Sequence, residues 1–391
     1  MKYYIIAGEA SGDLHGSNLM KGLFAEDNDA VIRFRGGEMM QKVFQKMSRK
    51  DLDLAGMAYD YKEGAVMGFV EVLAKAGKLL QNLDDCKQDI VAFDPDVIIL
   101  IDYPGFNLKI AKWAHKLGYK VFYYIAPKVW ASREGRIAKL KRYVDHLFII
   151  FPFEKEYFAK HGLPYTYCGN PLVDAVDSSP ASTQSREEFL QEMGIHPSKH
   201  VVALLAGSRL NEVKTMMPLF NEAARMLHDK PQFKDYIFVV AGAPGREIDD
   251  YGYFERSYMR VIFGRTWQIL RSADAAAINS GTASLEAALL GTPQVVVYKI
   301  GSKISYAIGK LIMRAPFISL GNLCLGRMAF KEFYHNDDCN AENLAAELEK
   351  LLLDESYRRH MMEDYQQIRN SLGGRGASRD IAHAMVEMLK K

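Results

Sequence analysis

Short apolar runs alternate with longer amphipathic stretches along nearly the whole chain. In the first half the runs fall at residues 3–7, 31–35, 97–101, 121–125 and 147–150, with helical spacing between them, for example at 110–117 and 133–143. In the second half they fall at 201–205, 237–241, 260–263, 275–278 and 294–298, again separated by helical spacing such as 213–227. Near-continuous apolar strands joined by crossover helices predict parallel sheets covered on both faces. The expected fold class is therefore α/β, with two Rossmann-like domains. Between the halves lies Asp177-Ser178-Ser179-Pro180-Ala181-Ser182-Thr183-Gln184-Ser185, the only long Ser/Thr/Pro run, which reads as a linker or exposed loop. The expected domains are 1–176 and 186–372, with a C-terminal helix, 377–391, returning to the first after the break at Gly373-Gly374-Arg375-Gly376. Open parallel sheets bind ligands at the carboxyl ends of their strands. Two such domains facing each other would put a cleft between them.

Composition narrows the classes. A chain of 391 residues suits two or three domains, and 49% apolar content is ample for their cores. The net charge of +2 carries no nucleic-acid-like basic bias. Cys86, Cys168, Cys324 and Cys339 are far apart and form no C-x-x-C pair, so a reducing compartment is expected, with neither disulfides nor a zinc site. The chain opens on its first strand, leaving no room for a signal peptide, and no apolar run of about 18 residues appears. A cytoplasmic protein is the expectation.

Candidate chemistry sits where strands run into turns. The first strand leads into Gly8-Glu9-Ala10-Ser11-Gly12-Asp13 and then the helical pattern Leu14, Leu19, Leu23. Gly8 and Gly12 let backbone approach a ligand, and Ser11 and Asp13 can cap the helix that follows. Neither G-x-G-x-x-G nor a P-loop is present. Asp102 follows strand 97–101 and precedes Tyr103-Pro104-Gly105-Phe106-Asn107. It can serve as a general base if burial raises its pKa, or it can simply cap the Pro-Gly turn. His15 is a rival base, the one histidine beside a ligand turn. Gly207-Ser208-Arg209 follows strand 201–205, where helix-start amides and a guanidinium suit a pyrophosphate. Ser280-Gly281-Thr282 follows strand 275–278, with Thr282 a natural N-cap and Glu286 within reach of ribose hydroxyls, or merely favouring the helix dipole. Residues 65–80 are amphipathic: a core-facing helix, or a membrane-contacting one through Val66, Met67, Phe69, Val70 and Leu73, with Lys75 and Lys78 among headgroups. No clustered ligand set points to a metal.

These motifs together resemble the lipid-A-disaccharide synthases, bacterial inverting glycosyltransferases with a GT-B fold. The resemblance runs from Gly8 to Arg327 through Ala-Gly-Glu-Ala-Ser-Gly-Asp at 7–13, the Asp-x-Pro-x-Phe-Asn pattern at 102–107, Tyr124–Arg136 around Pro127 and Trp130, Asn170-Pro171 and Asp174, Gly207-Ser208-Arg209, Ser280-Gly281-Thr282 with Glu286, and Asn322 with Arg327. Ala206 stands where the family has a proline, and 328–333 depart from its pattern. The resemblance implies transfer of 2,3-diacylglucosamine from UDP-2,3-diacylglucosamine to 2,3-diacylglucosamine 1-phosphate, giving a β-1,6 disaccharide 1-phosphate and UDP. It nominates Asp102, with Glu9 and His15, for catalysis. It nominates Gly207, Ser208, Arg209, Ser280, Gly281, Thr282, Glu286 and Asn322 for UDP, and Ser11, Asp13, Asn107, Trp130, Arg133 and Arg136 for the acceptor. No cofactor, metal or nucleic acid is implied. Lipid substrates imply a cytoplasmic enzyme bound peripherally to the inner-membrane surface, and a homodimer is compatible with it. The alternatives are another GT-B UDP-sugar enzyme, an epimerase or MurG-like transferase, or a non-catalytic nucleotide-sugar-binding protein.

Overall fold

The computed structural model describes residues 1–49, 54–61, 72–130, 134–279, 281–299, 316–334 and 338–391. The chain divides into two compact units: unit 1 is Met1–Pro171 with Gly373–Lys391, and unit 2 is Leu172–Leu372.

Unit 1 is built on strands β1 (Lys2–Ala7), β2 (Val31–Gly36), β3 (Gly56–Asp60), β4 (Val97–Ile101), β5 (Val121–Tyr124), β6 (His146–Ile149) and β7 (Tyr165–Tyr167). They form one parallel sheet in the order β3-β2-β1-β4-β5-β6-β7. Helices α1 (Ala10–Glu26), α2 (Glu38–Met47), α3 (Val72–Phe93), α4 (Pro104–Lys116), α5 (Ile137–Tyr143) and α6 (Glu154–Lys160) connect them. The central strands read as unbroken apolar runs because helices cover both faces, and β4 is wholly buried. The C-terminal helix (Ala377–Lys390) packs on α1. A Cβ on Gly22 would come within 2.7 Å of the Ala382 Cβ, so glycine permits that close approach. Glu26 ties the two helices by an ion pair to Arg379 and a hydrogen bond with His383, each at 2.8 Å.

Unit 2 holds β8 (His200–Leu205), β9 (Tyr236–Gly242), β10 (Met259–Phe263), β11 (Ala275–Asn279), β12 (Gln294–Val297) and β13 (Glu332–Phe333), parallel and in the order β10-β9-β8-β11-β12-β13. Its helices include α7 (Pro171–Asp177), α8 (Arg186–Glu192), α9 (Leu210–His228), α10 (Thr266–Ser272) and α11 (Ala283–Leu290).

Two features depart from the sequence reading. The division falls at Pro171, before the 177–185 run, and that run is folded within unit 2. Ser179 and Thr183 hydroxyls bond the Val176 and Pro180 carbonyls, Ala181 is buried, and Asp177 pairs with Arg369 at 2.6 Å. Residues that favour loops build tight helical turns here by satisfying backbone groups locally. The strands unforeseen in the sequence, β3, β7 and β13, lie at sheet edges, where one-sided burial gives no continuous apolar run.

Candidate active site

Each sheet reverses its strand order once, between β1 and β4 in unit 1 and between β8 and β11 in unit 2. Such switch points are where open α/β sheets bind ligands. The register pairs Ala7 with Ile101, and Leu205 with Ile278. The Gly8 and Asp102 turns therefore leave one sheet side by side, as do the Gly207 and Gly281 turns in the other.

In unit 1 the two turns touch. A side chain on Gly8 would collide with the Tyr103 ring, so this glycine is needed for close approach. Asp102 and Tyr103 are left-handed, with φ of +42° and +46°, and Ile125 beyond β5 has φ +61°. None is glycine, and each such residue costs roughly 1–2 kcal/mol. Pro104 opens α4 and steers Tyr103 away from the right-handed region. The turn is pinned from below. Asn107 Nδ2 donates to the Ile101 carbonyl at 3.1 Å and the Asp102 carbonyl at 2.8 Å, and the Tyr123 hydroxyl donates to the Asp102 carbonyl at 2.6 Å. The Asp102 carboxyl accepts the Tyr103 amide and has no side-chain partner among the described residues. Burial first, then the negative charge of Glu9, push it up to about 6, against the pull of Lys128 and Arg136. Glu9 itself is exposed at the start of α1 and accepts the Ser11 hydroxyl at 3.1 Å.

Other nominated residues of unit 1 turn out differently. Asp13 does not cap its own helix, nor is it free for an acceptor. It is buried, and its carboxylate takes the Gly37, Met39 and Met40 amides at 2.9–3.0 Å, capping α2 instead. Asn107 is fully buried and bonds backbone, so it braces the Asp102 turn rather than facing an acceptor. His15 is packed edge-on against Tyr124, and burial pulls its imidazole down to about 4, a weaker base than Asp102. Trp130 is half-buried. Its indole donates to Glu154 at 3.2 Å, and Glu154, buried under the end of β6, is pushed up to about 7 by desolvation. Arg136 closes a short 3-10 turn, Glu134–Arg136. Arg133, Val66, Met67, Phe69 and Val70 lie outside the described residues. Leu73 lies in α3, its side chain likewise outside the description.

In unit 2, Gly207 has φ +102°, and a Cβ there would meet Glu212 Oε2 and Asn279 Nδ2 at 2.5 and 2.6 Å. The amides expected to be free for a diphosphate are already taken: Glu212 Oε2 accepts Ser208 and Arg209 N–H at 3.1 and 3.2 Å. The same carboxylate pairs with the exposed Arg209 guanidinium at 2.8 Å. A carboxylate thus occupies the anion position at the start of α9. Thr282 is the N-cap residue of α11, but its side chain makes no cap bond. Gly281 is half-buried and Thr282 exposed, while Ser280 lies outside the described residues. Glu286 accepts the Trp267 indole N–H at 2.7 Å, and burial raises its pKa. Asn322 is a correction. It is fully buried, donating to the Phe330 carbonyl and Glu332 and accepting the Ala329 and Phe330 amides, so it has no capacity left for a donor sugar.

Sequence reasoning missed Glu154, Glu212, Trp267 and Tyr123. Glu212 alone had a local signal, a glutamate three residues past the helix start, the spacing of a capping box.

Two parallel six- or seven-stranded sheets, each with glycine turns at its switch point, define a GT-B-like protein of the glycosyltransferase and epimerase fold class. Solved structures share that fold. UDP-GlcNAc 2-epimerase of Neisseria meningitidis bound to UDP-GlcNAc superposes with a TM-score of 0.62 at 14% identity, covering 99% of this chain and 100% of that one. The S. aureus MnaA–UDP structure gives 0.65 at 14% identity, covering 100% and 97%. The family model for lipid-A-disaccharide synthetase matches residues 3–386. The lipid-A-disaccharide synthase of Geobacter metallireducens is 37% identical, covering 99% of this chain and 97% of its own, and that of Coxiella burnetii is 31% identical, covering 98% of each. The chain belongs to the lipid-A-disaccharide synthetase family and is a glycosyltransferase.

Proposed function

We propose that this enzyme transfers 2,3-diacylglucosamine from its UDP derivative to the 6-hydroxyl of 2,3-diacylglucosamine 1-phosphate, inverting the anomeric carbon. The products are the β-1,6 disaccharide 1-phosphate and UDP. Asp102 carries the reading: a carboxyl at a switch point, raised to about 6, without a side-chain partner among the described residues. Ionised at neutral pH yet unusually basic, it takes the proton of the 6-hydroxyl as that oxygen attacks the donor C1. The bond from C1 to the diphosphate breaks on the opposite face, and its electron pair leaves on UDP. Arg209 and the start of α11 stabilise that growing negative charge, while Glu286, held by Trp267, receives the ribose hydroxyls. Ser11, Trp130 and Arg136 serve the acceptor. The test is incubation of the purified enzyme with both lipids, following UDP and disaccharide. Epimerised UDP-sugar, or UDP binding without product, would overturn the reading.

The enzyme works at the inner-membrane surface. No helix among the described residues is long and apolar enough to cross a membrane. Leu79 and Leu80 on α3, beside Lys78, are exposed, in line with the amphipathic 65–80 stretch. Meeting acylated substrates at the interface avoids extracting their chains into water, about 0.8 kcal/mol per methylene. Replacing Met67, Phe69 and Val70 with serine should reduce liposome binding while leaving the fold intact. Unchanged binding would move the contact elsewhere.

A further inference from the structure

The Asp102 turn is held by more interactions than chain reversal requires. Two consecutive non-glycine residues, Asp102 and Tyr103, are left-handed, and the carbonyls of Ile101, just before them, and of Asp102, between them, meet side-chain donors. Asn107, fully buried on α4, spends its amide nitrogen on both. Its Oδ1, equally buried, has no hydrogen-bond partner among the described residues. A buried acceptor without a partner is rare in a fold selected for stability alone. Turning the amide over would satisfy nothing, since its oxygen would then face two carbonyl oxygens. The Tyr123 hydroxyl reaches the Asp102 carbonyl from the neighbouring strand β5, so the turn is gripped from two separate elements. The Asp102 amide bonds the Tyr124 carbonyl at 3.1 Å, and the carboxyl, which accepts the Tyr103 amide, has no side-chain partner among the described residues.

We propose that Asn107 and Tyr123 are positioning residues, which lock Asp102 in its left-handed conformation and thereby set the direction and burial of its carboxyl. This rests on Asp102 being the base. With the grip loosened, the backbone relaxes toward ordinary φ and the carboxyl swings toward water. A base displaced even slightly loses near-attack geometry, and rate falls while substrate binding elsewhere is kept.

Tyr123→Phe removes a single oxygen and is the primary test. Asn107→Ser is the second variant, and Asp102→Asn runs in parallel. In folded Tyr123→Phe, kcat should fall roughly ten- to a hundredfold with KM for both lipids unchanged. The acid limb of its pH–rate profile should move below the position near pH 6 set by the buried carboxyl, because a more solvated carboxyl titrates lower. Asn107→Ser should do the same more strongly, and if it fails to fold, Tyr123→Phe decides. A folded Tyr123→Phe enzyme with unaltered kcat and acid limb, only less heat-stable, overturns the inference, while an inactive Asp102→Asn enzyme still upholds the base. Near-normal kcat in Asp102→Asn overturns the base reading, and the positioning role falls with it.

Discussion

At the β1–β4 reversal of unit 1, strained non-glycine backbone carries a half-buried carboxyl with no side-chain partner among the described residues. At the β8–β11 reversal of unit 2, the φ +102° turn is left to Gly207, and the chemistry on offer is helix ends and a guanidinium. Both carry a carboxylate near the turn, yet Asp102 is left without a side-chain partner while Glu212 sits on the Ser208 and Arg209 amides. The first arrangement suits moving a proton; in the second the start of α9 is already taken by Glu212, and the exposed Arg209 guanidinium and the start of α11 are what an anion could meet. A shared reversal of strand order therefore sets where chemistry can occur, and the side chains packed under each turn decide which kind.

The sharpest way to break this contrast is Asp102→Asn, which should lower kcat roughly 10²–10⁴-fold and leave UDP affinity intact. In the unmodified enzyme kcat should decline as pH drops through about 6, because the protonated carboxyl can no longer accept the hydroxyl proton. A flat acid profile would count against Asp102.

The same substitution should stabilise the fold. Burial raises the Asp102 pKa from its ordinary 3.8 to about 6, so its contribution is fully present below the lower value and lost as pH rises through the upper one. The amide that Asp102→Asn introduces cannot ionise, so the variant should gain up to about 3 kcal/mol at pH 8 and nothing near pH 3. Urea unfolding at both pH values measures it, and equal differences at the two would refute the buried ionisation.

In unit 2, Arg209→Ala and Glu286→Ala should each weaken UDP binding by roughly 1.5–3 kcal/mol in calorimetry. Unchanged affinity in both would remove the nucleotide from this switch point. Asp13→Ala should cost about 2 kcal/mol of stability through three orphaned amides, with kcat retained in the folded fraction. A large kcat loss at full stability would return Asp13 to the chemistry. Smallest is Trp267→Phe, which removes the indole donor to Glu286 and should weaken UDP binding by roughly 1 kcal/mol. Tighter binding would mean that the indole holds Glu286 away from the ribose.

Much of this was legible in the chain. Strands buried on both faces have no polar side to show, so β1, β4, β8 and β11 announced themselves as apolar runs, and the parallel sheets followed. Glycines where backbone must crowd, such as Gly8 and Gly207, marked the turns. Aspartates were harder to read. Asp13 and Asp102 both follow strands and both precede or begin helices, and local spacing made Asp13 a cap for its own helix. The amides it serves are more than twenty residues away on α2. Asn322 looked like a ligand contact because its motif did, whereas the partners that exhaust it lie in the segment that departs from the family pattern.

By itself the sequence determined the α/β class, the position of the candidate turns and the family, because periodicity, glycine placement and motif order are local properties of a chain. Only tertiary structure decided which carboxyls are available for chemistry. Asp13 is held by three amides, Glu212 by two amides and a guanidinium, and Glu286 by an indole. The Asp102 carboxyl accepts one amide and has no side-chain partner among the described residues, and burial and the charge of Glu9 raise its pKa. Desolvation and partner choice depend on what packs around a group from distant parts of the chain, which no local pattern contains.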